Sequence, residues 1–385
     1  MLNFFLNYGP MVYFSICAFL FGAILGSYMN VVVARLPYEK SVFWPGSRCG
    51  NCLQPIRFFF DNIPLFSYCW LRGRCRTCKA RFSIQYFLVE LFVAVAFVGI
   101  LLVEIFQNTN RIPGLANASR DLSYRFVNVA NAPYFAFFLQ RATLVWLLTV
   151  AALCDLKKVA GLHTIPFSIP LIGTTIGLIF AVCFPWPWPS SPAQAMPVLQ
   201  HGFADWWLLG PGDMLKSGLY PWPVWGPLPS WAPAGSWRLG LLTGLAGAAA
   251  GTFLLRAMRF LAQRALGREP MGMGDADLMM MVGAFLGWQP VVIAFLVGGV
   301  ISLFLSLPSL VSNWSRPMPF GPGLALGAAV TWLGWDFVAP YAHPLFFQKW
   351  LIVIFFGGCG VLTFFLMFLL GSVRKSPPRT GDQAK

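Results

Sequence analysis

Long apolar runs recur along the chain, and they restrict its fold more than any other feature. The first run, residues 11–34, contains no charged residue and is long enough to cross a bilayer as a helix. Because 57% of the 385 residues are hydrophobic and only 10% are charged, the chain has too little polar surface for a soluble globule of this size. Similar runs follow at about 84–105, 134–154, 165–184, 239–255, 277–286, 290–307, 324–338 and 350–370. The sequence therefore predicts an all-α polytopic membrane protein with about nine transmembrane helices.

The basic residues predict how these helices are oriented. Between residues 35 and 81 the chain has nine lysines and arginines but only two acids, Glu39 and Asp61. Since cytoplasmic loops carry an excess of positive charge, this segment is predicted to be cytoplasmic, with the N-terminus outside and the basic C-terminal tail inside. The net charge of +14 gathers mainly in such short segments, so we predict contact with anionic membrane lipid and not with nucleic acid.

The predicted spans and loops divide the chain into five segments. They are a first transmembrane helix (1–34), a cytoplasmic cysteine-containing lobe (35–83), a second transmembrane helix with an outer loop (84–133), the main membrane domain (134–345), and an additional helix with a basic cytoplasmic tail (346–385). Within the main domain, about 185–238 is rich in tryptophan and proline and holds few charges. Because tryptophan favours the membrane–water interface, this insert is predicted to form a compact layer on the outer membrane surface.

Four cysteines in the basic lobe form two close pairs. Cys49 and Cys52 make one Cys-x2-Cys turn, Cys75 and Cys78 make the other, and 22 residues separate the turns. Two such turns supply the four thiolates of a tetrahedral Zn²⁺ site, and four cysteines with no open position indicate a structural metal. Metal binding would stabilise a small lobe that has little core of its own. The alternatives are four unrelated cysteines or a redox pair.

Two aspartates occupy unusual positions at the ends of apolar runs. Asp155 closes one run, and Asp275 follows Gly272 and Gly274 in a turn whose glycines permit close backbone approaches. Carboxylates near a bilayer are costly, and those present commonly face a water-filled cavity or a partner. Two of them can share a proton, so that one activates a water while the other polarises a carbonyl, as in aspartic-type peptide hydrolysis. Asp277 competes for one role, but it should lie on a different side of the helix from Asp275.

Ordinary structural roles also fit these aspartates. Asp275 could cap the N-terminus of the following helix, with Asp277 near the positive end of the helix dipole. Asp155 could be a solvated carboxylate beside Lys157 and Lys158. A transporter or scaffold in which the aspartates bind ions is a further alternative. Spacing alone does not decide between these roles and catalysis.

Several motifs in a fixed order give the chain a resemblance to a known family. The order runs from FGAILGSYMNVVVARLP and SRCGNC through DNIPLFSYCWLRGRCRTCKARFSIQYFLVEL and Asp155 to GREPMGMGDADL with GAFLGW, and then PMPFGPGLALGA. This pattern resembles the bacterial type IV prepilin peptidases, which are membrane aspartic proteases of the type IV pilus and type II secretion pathways. By that resemblance, Asp155 and Asp275 are the catalytic pair, Gly272 and Gly274 support the active-site turn, and the protein lies in the inner membrane.

The resemblance also implies substrates and a second activity. The family removes a short basic leader from prepilins and pseudopilins after a glycine, at the cytoplasmic face of the membrane. Members with the tetracysteine loop also methylate the new N-terminal amine with S-adenosylmethionine, so Cys49, Cys52, Cys75 and Cys78 imply the same activity here. A peptidase that has lost methylation is the alternative.

Three features depart from the family pattern. The family reads GxGDxKL at the second aspartate, whereas Asp277 stands here in place of the lysine, and we predict it as a possible contact for the basic leader. The loop from Asp155 to Ile165 and Pro166 is longer than in the family. The outer insert and the ninth predicted span are additions to the family pattern, and neither has a predicted catalytic role.

Overall fold

The computed structural model describes most of the predicted membrane helices and the cysteine lobe. It covers residues 2–57, 61–107, 109, 132–157, 165–184, 230–233, 236–266, 273–312 and 320–335, with isolated positions from 337 to 361. Within these ranges the regular structure is helical and contains no named strand. These ranges contain nine α-helices with defined bounds, which are α1 (Leu2–Arg35), α2 (Phe66–Trp70), α3 (Ile84–Ile100, continued by a π-helical segment Leu101–Phe106), α4 (Ala132–Lys157), α5 (Ser168–Cys183), α6 (Trp237–Leu266), α7 (Met273–Leu286), α8 (Trp288–Ser312) and α9 (Phe320–Leu333).

The predicted all-α membrane class is confirmed. Five helices in the described part, α1, α3, α4, α6 and α8, are long and apolar enough to cross a bilayer. Helices α5 and α9 are apolar but shorter, and α7 has only 14 residues. Eight of the predicted spans therefore correspond to helices. The ninth, at 350–370, falls largely outside the described residues, as does most of the outer insert.

Helices α1 and α3 form a close pair through two glycines on α1. A Cβ atom added at Gly22 would lie 2.8 Å from the Cα of Ala94, and one added at Gly26 would lie 2.7 Å from the Cα of Glu90. No larger side chain fits between these backbones without moving the helices apart. The spacing of small residues on α1 thus produces the kind of helix contact that is common in membranes.

Helix α7 lies at the centre of the remaining helices. Gly247 and Gly251 of α6 meet the backbone of α7 at Gly283 and Met279. On α5, Gly173 contacts the side chain of Met281. Small residues let both neighbours approach closely, so nearly every side chain of α7 is buried even though the helix is short.

The contacts also fix the directions of the helices. Gly173 and Gly177 of α5 meet Met281 and Phe285 of α7 in the same order, so these two helices run parallel. The last turn of α4 meets the start of α9. The end of α4 and the beginnings of α5, α7 and α9 therefore lie together, and we call this the aspartate end of the bundle.

The cysteine lobe is at the same end. Phe97, in the second half of α3, contacts Phe138 near the start of α4, so α3 and α4 run in opposite directions. The start of α3, to which the lobe is joined, is thus level with the end of α4. Trp146 of α4 also donates a hydrogen bond of 3.0 Å to the carbonyl of Leu25, which ties α4 to α1.

Candidate active site and cysteine cluster

Asp155 is placed in the last turn of α4, against the first turn of α9. Its exposed fraction is 6%. A Cβ atom added at Gly321 would lie 2.9 Å from Asp155 Oδ2 and 3.1 Å from its Cγ. The glycine therefore leaves the space that the carboxylate occupies. The N-terminus of a helix carries a partial positive charge, so α9 favours a negative charge at this position.

Asp275 is placed in the first turn of α7 and is half-buried. The preceding residue, Gly274, lies against Ile165, because an added Cβ atom would be 3.2 Å from the Ile165 Cβ. Ile165 follows Asp155 by ten residues in the chain. Near the other ends of these helices, Gln140 of α4 donates to the carbonyl of Phe285 of α7, so the end of α4 and the start of α7, with both aspartates, lie at the aspartate end of the bundle.

Two details of the predicted turn are revised or left open. The helix begins at Met273, whereas the apolar run predicted its start at Asp277, so Asp275 lies inside the first helical turn and not at the cap. Hydrophobic periodicity starts only after the polar residues of this turn, which explains the late predicted start. Gly272 lies outside the described residues, Gly274 lies close to Ile165, and a role of the two glycines in an active-site turn stays a prediction.

Asp277 lies on a different side of α7 from Asp275, as the helical spacing predicts. It is buried toward α6, where its Oδ1 is 3.2 Å from Nη2 of Arg256. The Arg256 side chain is 53% exposed and that of Asp277 is 9% exposed. An anion that replaces the lysine of the family pattern therefore has a cation beside it on the neighbouring helix. Sequence periodicity gave no sign of this partner, because the two residues are 21 positions apart.

The two Cys-x2-Cys turns share one backbone geometry. In each turn, the N–H of the first cysteine donates to the carbonyl five residues later, and its carbonyl accepts from the N–H four residues later. An isolated β-bridge closes each turn, and the residue four positions after the first cysteine has positive φ. The bonds are Cys49 N to Gln54 O (3.0 Å), Leu53 N to Cys49 O (3.0 Å), Cys75 N to Ala80 O (2.8 Å) and Lys79 N to Cys75 O (3.0 Å), and the bridges are Arg48–Pro55 and Arg74–Arg81.

The four thiols fit a tetrahedral metal. Their Sγ atoms all lie within 4.8 Å of one another. Cys49 and Cys78 are 3.7 Å apart at sulfur, and Cys52 and Cys75 are 3.9 Å apart. Four sulfurs at about 2.3 Å from a central Zn²⁺ are about 3.8 Å from each other. The cluster could therefore hold zinc without a change in backbone geometry.

The backbone of each turn also acts on the acidity of the thiols. The backbone of Ala80 and the amide of Asn51, whose Nδ2 is 3.7 Å from the sulfur, lower the pKa of Cys78 to about 6. Backbone hydrogen bonds from Cys52 and Asn51 lower the pKa of Cys49. The backbone of Gln54 acts in the same direction on Cys52, but burial and the neighbouring thiols raise its pKa to about 11. Two of the thiols thus favour the thiolate form that a metal requires.

One charged residue of a membrane helix, Glu90, attaches the lobe to the bundle. Glu90 of α3 accepts a hydrogen bond of 2.7 Å from the backbone N–H of Leu65. Within the lobe, Arg76 Nε donates to Asp61 Oδ1 at 2.7 Å. A carboxylate inside an apolar run, as at Glu90, is itself a signal of a partner, and it could have been recognised from the sequence.

A second charged group was missed at the opposite end of the bundle. Arg141 of α4 is almost fully buried between the rings of Phe137 and Trp332, with its Cζ 4.8 and 5.1 Å from the two ring centroids. Glu104, also buried, is close enough to interact with its charge. Both lie within apolar runs, where ionisable residues are rare.

Comparisons with known proteins agree with this architecture. Residues 20–103 match the bacterial peptidase A24 N-terminal domain, and residues 228–307 match the type IV leader peptidase family. A protein of Aeromonas hydrophila named prepilin leader peptidase/N-methyltransferase is 26% identical over 354 residues, with 85% of this chain and 92% of the relative covered. Proteins of the same name from Pseudomonas putida and Myxococcus xanthus are 27% and 26% identical over 347 and 343 residues, with 83% and 86% of this chain and 91% and 74% of the relatives covered. No solved structure matches the chain.

The first match contains the cysteine cluster and Glu90, and the second contains Asp275 and Asp277. The chain is therefore similar to the type IV prepilin leader peptidases over most of its length.

Proposed function

We propose that the protein is an intramembrane aspartic endopeptidase that removes the basic leader from type IV prepilins or pseudopilins. The observation that carries this proposal is the arrangement of the aspartate end, where Asp155 and Asp275 enter from α4 and α7 at the same end of the bundle. The family match and the names of the relatives support the same reaction. We propose that it lies in the bacterial inner membrane, with the aspartate end and the lobe on the cytoplasmic side, because the excess of basic residues between 35 and 81 predicts that orientation.

In the proposed reaction the two carboxylates share one proton. The ionised aspartate takes a proton from a water molecule, and the water oxygen attacks the scissile carbonyl carbon. The protonated aspartate donates its hydrogen bond, and then its proton, to the carbonyl oxygen. Collapse of the tetrahedral intermediate breaks the C–N bond, with a proton delivered to the leaving amine. Asp155 and Asp275 are the proposed pair, and Gly272 and Gly274 are proposed to let the backbone come close to the substrate.

The cysteine cluster is proposed to hold a structural Zn²⁺. Cys49, Cys52, Cys75 and Cys78 would be its ligands, and the metal would join the two turns into one folded lobe. We also propose that the new N-terminal amine is methylated with S-adenosylmethionine as the donor. This second activity is supported by the cluster and by the N-methyltransferase part of the relatives' names. No residue is assigned to the methyl donor.

The peptidase proposal is tested with a prepilin that is expressed together with the protein. Asp155→Asn and Asp275→Asn should each abolish leader removal, because each variant lacks one carboxylate of the pair. Glu39→Gln is the matched control, since it removes an exposed carboxylate that follows α1 and should leave cleavage unchanged. Mass spectrometry of the pilin N-terminus measures the result. Normal leader removal by either asparagine variant would contradict the catalytic assignment.

The same spectra test methylation separately. Wild-type protein should give a pilin whose N-terminal mass is increased by one methyl group, whereas Cys49→Ser should leave cleaved but unmethylated pilin if the lobe serves the second reaction. Cleaved pilin without a methyl group from the wild-type protein would identify a peptidase that has lost methylation. Flux of ions through proteoliposomes that depends on Asp155 and Asp275, without cleavage, would favour the transporter alternative.

A further inference from the structure

The short helix α2 is held beside the first turns of α3. The backbone N–H of Leu65, the residue before α2, donates to Glu90 Oε2 at 2.7 Å. The Tyr68 ring lies 5.6 Å from the Phe87 ring, and its hydroxyl donates to the carbonyl of Phe82 at 3.4 Å. The face of α2 that carries Tyr68 is therefore fixed against α3 and against the segment that precedes α3 in the chain.

These contacts define the depth of α2 relative to the membrane. The apolar span Ile84–Phe106 has 23 residues, or about 34 Å, slightly more than the hydrocarbon thickness of about 30 Å. Phe87 and Glu90 lie about 4.5 and 9 Å along the span from its first residue. The Glu90 side chain leans back toward the helix N-terminus, as Cβ directions in a helix require. Helix α2 is thus level with the boundary between headgroups and hydrocarbon on the lobe's side.

The opposite face of α2 is apolar, and it is exposed among the described residues. Phe66 and Trp70 are 57% and 69% exposed, and their rings stack at 5.9 Å with an interplanar angle of 20°. Ile63, three residues before Phe66, is also exposed. On the adjoining helix α3, Leu88 and Phe92 expose apolar side chains in the same way. Exposed apolar side chains thus occur both on this face of α2 and on the neighbouring turns of α3.

Exposed cations follow this aromatic face directly in the chain. Arg72 and Arg74 come two and four residues after Trp70, and both are exposed. Aromatic side chains at headgroup level with arginines beside them suit an anionic membrane surface, because the rings favour the interface and the guanidinium groups attract lipid phosphate. The two observations, depth and charge, indicate the same partner.

We infer that Ile63, Phe66 and Trp70 form a membrane-seating face, by which the cysteine lobe rests in the leaflet next to α3. Its partner is the headgroup region of an anionic phospholipid bilayer. The lobe is then held at the membrane by three kinds of contact: the hydrogen bond to Glu90, the ring contact of Tyr68, and the seating face in lipid. This inference does not rest on the proposed peptidase activity.

Site-specific photocrosslinking of the full-length protein tests the inference. The crosslinking amino acid p-benzoylphenylalanine replaces Phe66 in one variant and Trp70 in another, so that a folding defect at one site does not remove the test. Phe92, which faces lipid in the span, is the positive control position, and Leu53, exposed on a cysteine turn, is the negative control position. The proteins are irradiated in nanodiscs of phosphatidylethanolamine with and without phosphatidylglycerol. Intact mass spectrometry measures the fraction of protein that carries a lipid.

The yield of lipid adducts at positions 66 and 70 should be within about threefold of the yield at position 92, because interfacial aromatic side chains remain in contact with lipid. It should be about tenfold higher than the yield at position 53. The yield should also rise when phosphatidylglycerol is present. Yields equal to that at position 53 would overturn the inference. So would replacement of the lipid adducts by prepilin adducts when a prepilin is reconstituted with the protein, since the face would then belong to the substrate.

Discussion

The ion pair between Asp277 and Arg256 should hold the first turn of α7 in place, and with it Asp275. The informative perturbation is Asp277→Lys, which restores the lysine of the family pattern but places it beside Arg256. A second substitution, Arg256→Asp, reverses the pair and returns an opposite charge to the site. The double variant differs from Asp277→Lys only at the α6 partner. It therefore distinguishes loss of the ion pair from loss of the aspartate itself.

The expected loss of stability follows from the burial of the two partners of the ion pair. Asp277 is nearly buried, so a charge left there without a partner is costly, whereas the half-exposed Arg256 is partly screened by solvent. For Asp277→Lys we expect a loss of about 2 kcal/mol in the free energy of unfolding, and for the double variant a return to within about 1 kcal/mol of wild type. A misplaced α7 should lower kcat for leader removal, with KM for the prepilin little changed.

Two measurements check this prediction in parallel. Reversible unfolding in mixed micelles, followed by circular dichroism, gives the stability of the wild type, both single variants and the double variant. Initial cleavage rates at several prepilin concentrations separate kcat from KM. Wild-type stability and rate in Asp277→Lys, or a double variant no better than the single one, would refute the role of the pair. If Asp277 instead contacts the leader, Asp277→Lys should raise KM for a basic leader, and Arg256→Asp should give no rescue.

Two further predictions follow from the site and the cluster. Gly321→Ala should displace the Asp155 carboxylate and lower kcat by about tenfold or more, as misplacement of a reacting group does, whereas Gly299→Ala, which has open space around the added atom, should retain wild-type rates in the same cleavage assay. In metal-free protein at pH 7, Cys78, with a pKa of about 6, should react with iodoacetamide well before Cys52, with a pKa of about 11. Its reaction should slow as the pH falls below about 6, because the thiolate is then protonated. Peptide mass spectrometry after timed alkylation measures both rates, and equal reaction of the two thiols at pH 7 would contradict the described effect of the backbone hydrogen bonds.

The membrane helices could be predicted from the sequence because each depends on a local property. A run of apolar residues of sufficient length forms a helix in lipid whatever its neighbours are. Gly22 and Gly26 of α1 are a local feature of the same kind, because small residues permit the close contact with α3. The cysteine pairs were equally informative, since a Cys-x2-Cys turn positions two thiols through its own backbone.

The contacts between helices could not be predicted in the same way. Nothing in the run around Asp277 indicates that Arg256 lies opposite, and nothing around Leu65 indicates that Glu90 receives its N–H. Such pairs depend on the register between elements that are distant in sequence. The sequence contains only the weaker signal that a charge stands where an apolar residue is expected.

The lengths of α7 and α9 connect the fold to the proposed chemistry. Each has 14 residues, or about 21 Å, so each is about 9 Å shorter than the hydrocarbon layer of about 30 Å. Asp275 is in the first turn of α7, and Asp155 touches the first turn of α9. If the far ends of both helices lie at one membrane surface, their first turns begin below the opposite headgroups. We expect a recess there to admit water to the carboxylates, at the level where a substrate with an apolar helix and a polar leader would present its scissile bond. An insertion that lengthens α7 by one turn should therefore lower the rate of leader cleavage, although a longer apolar helix is itself compatible with the membrane.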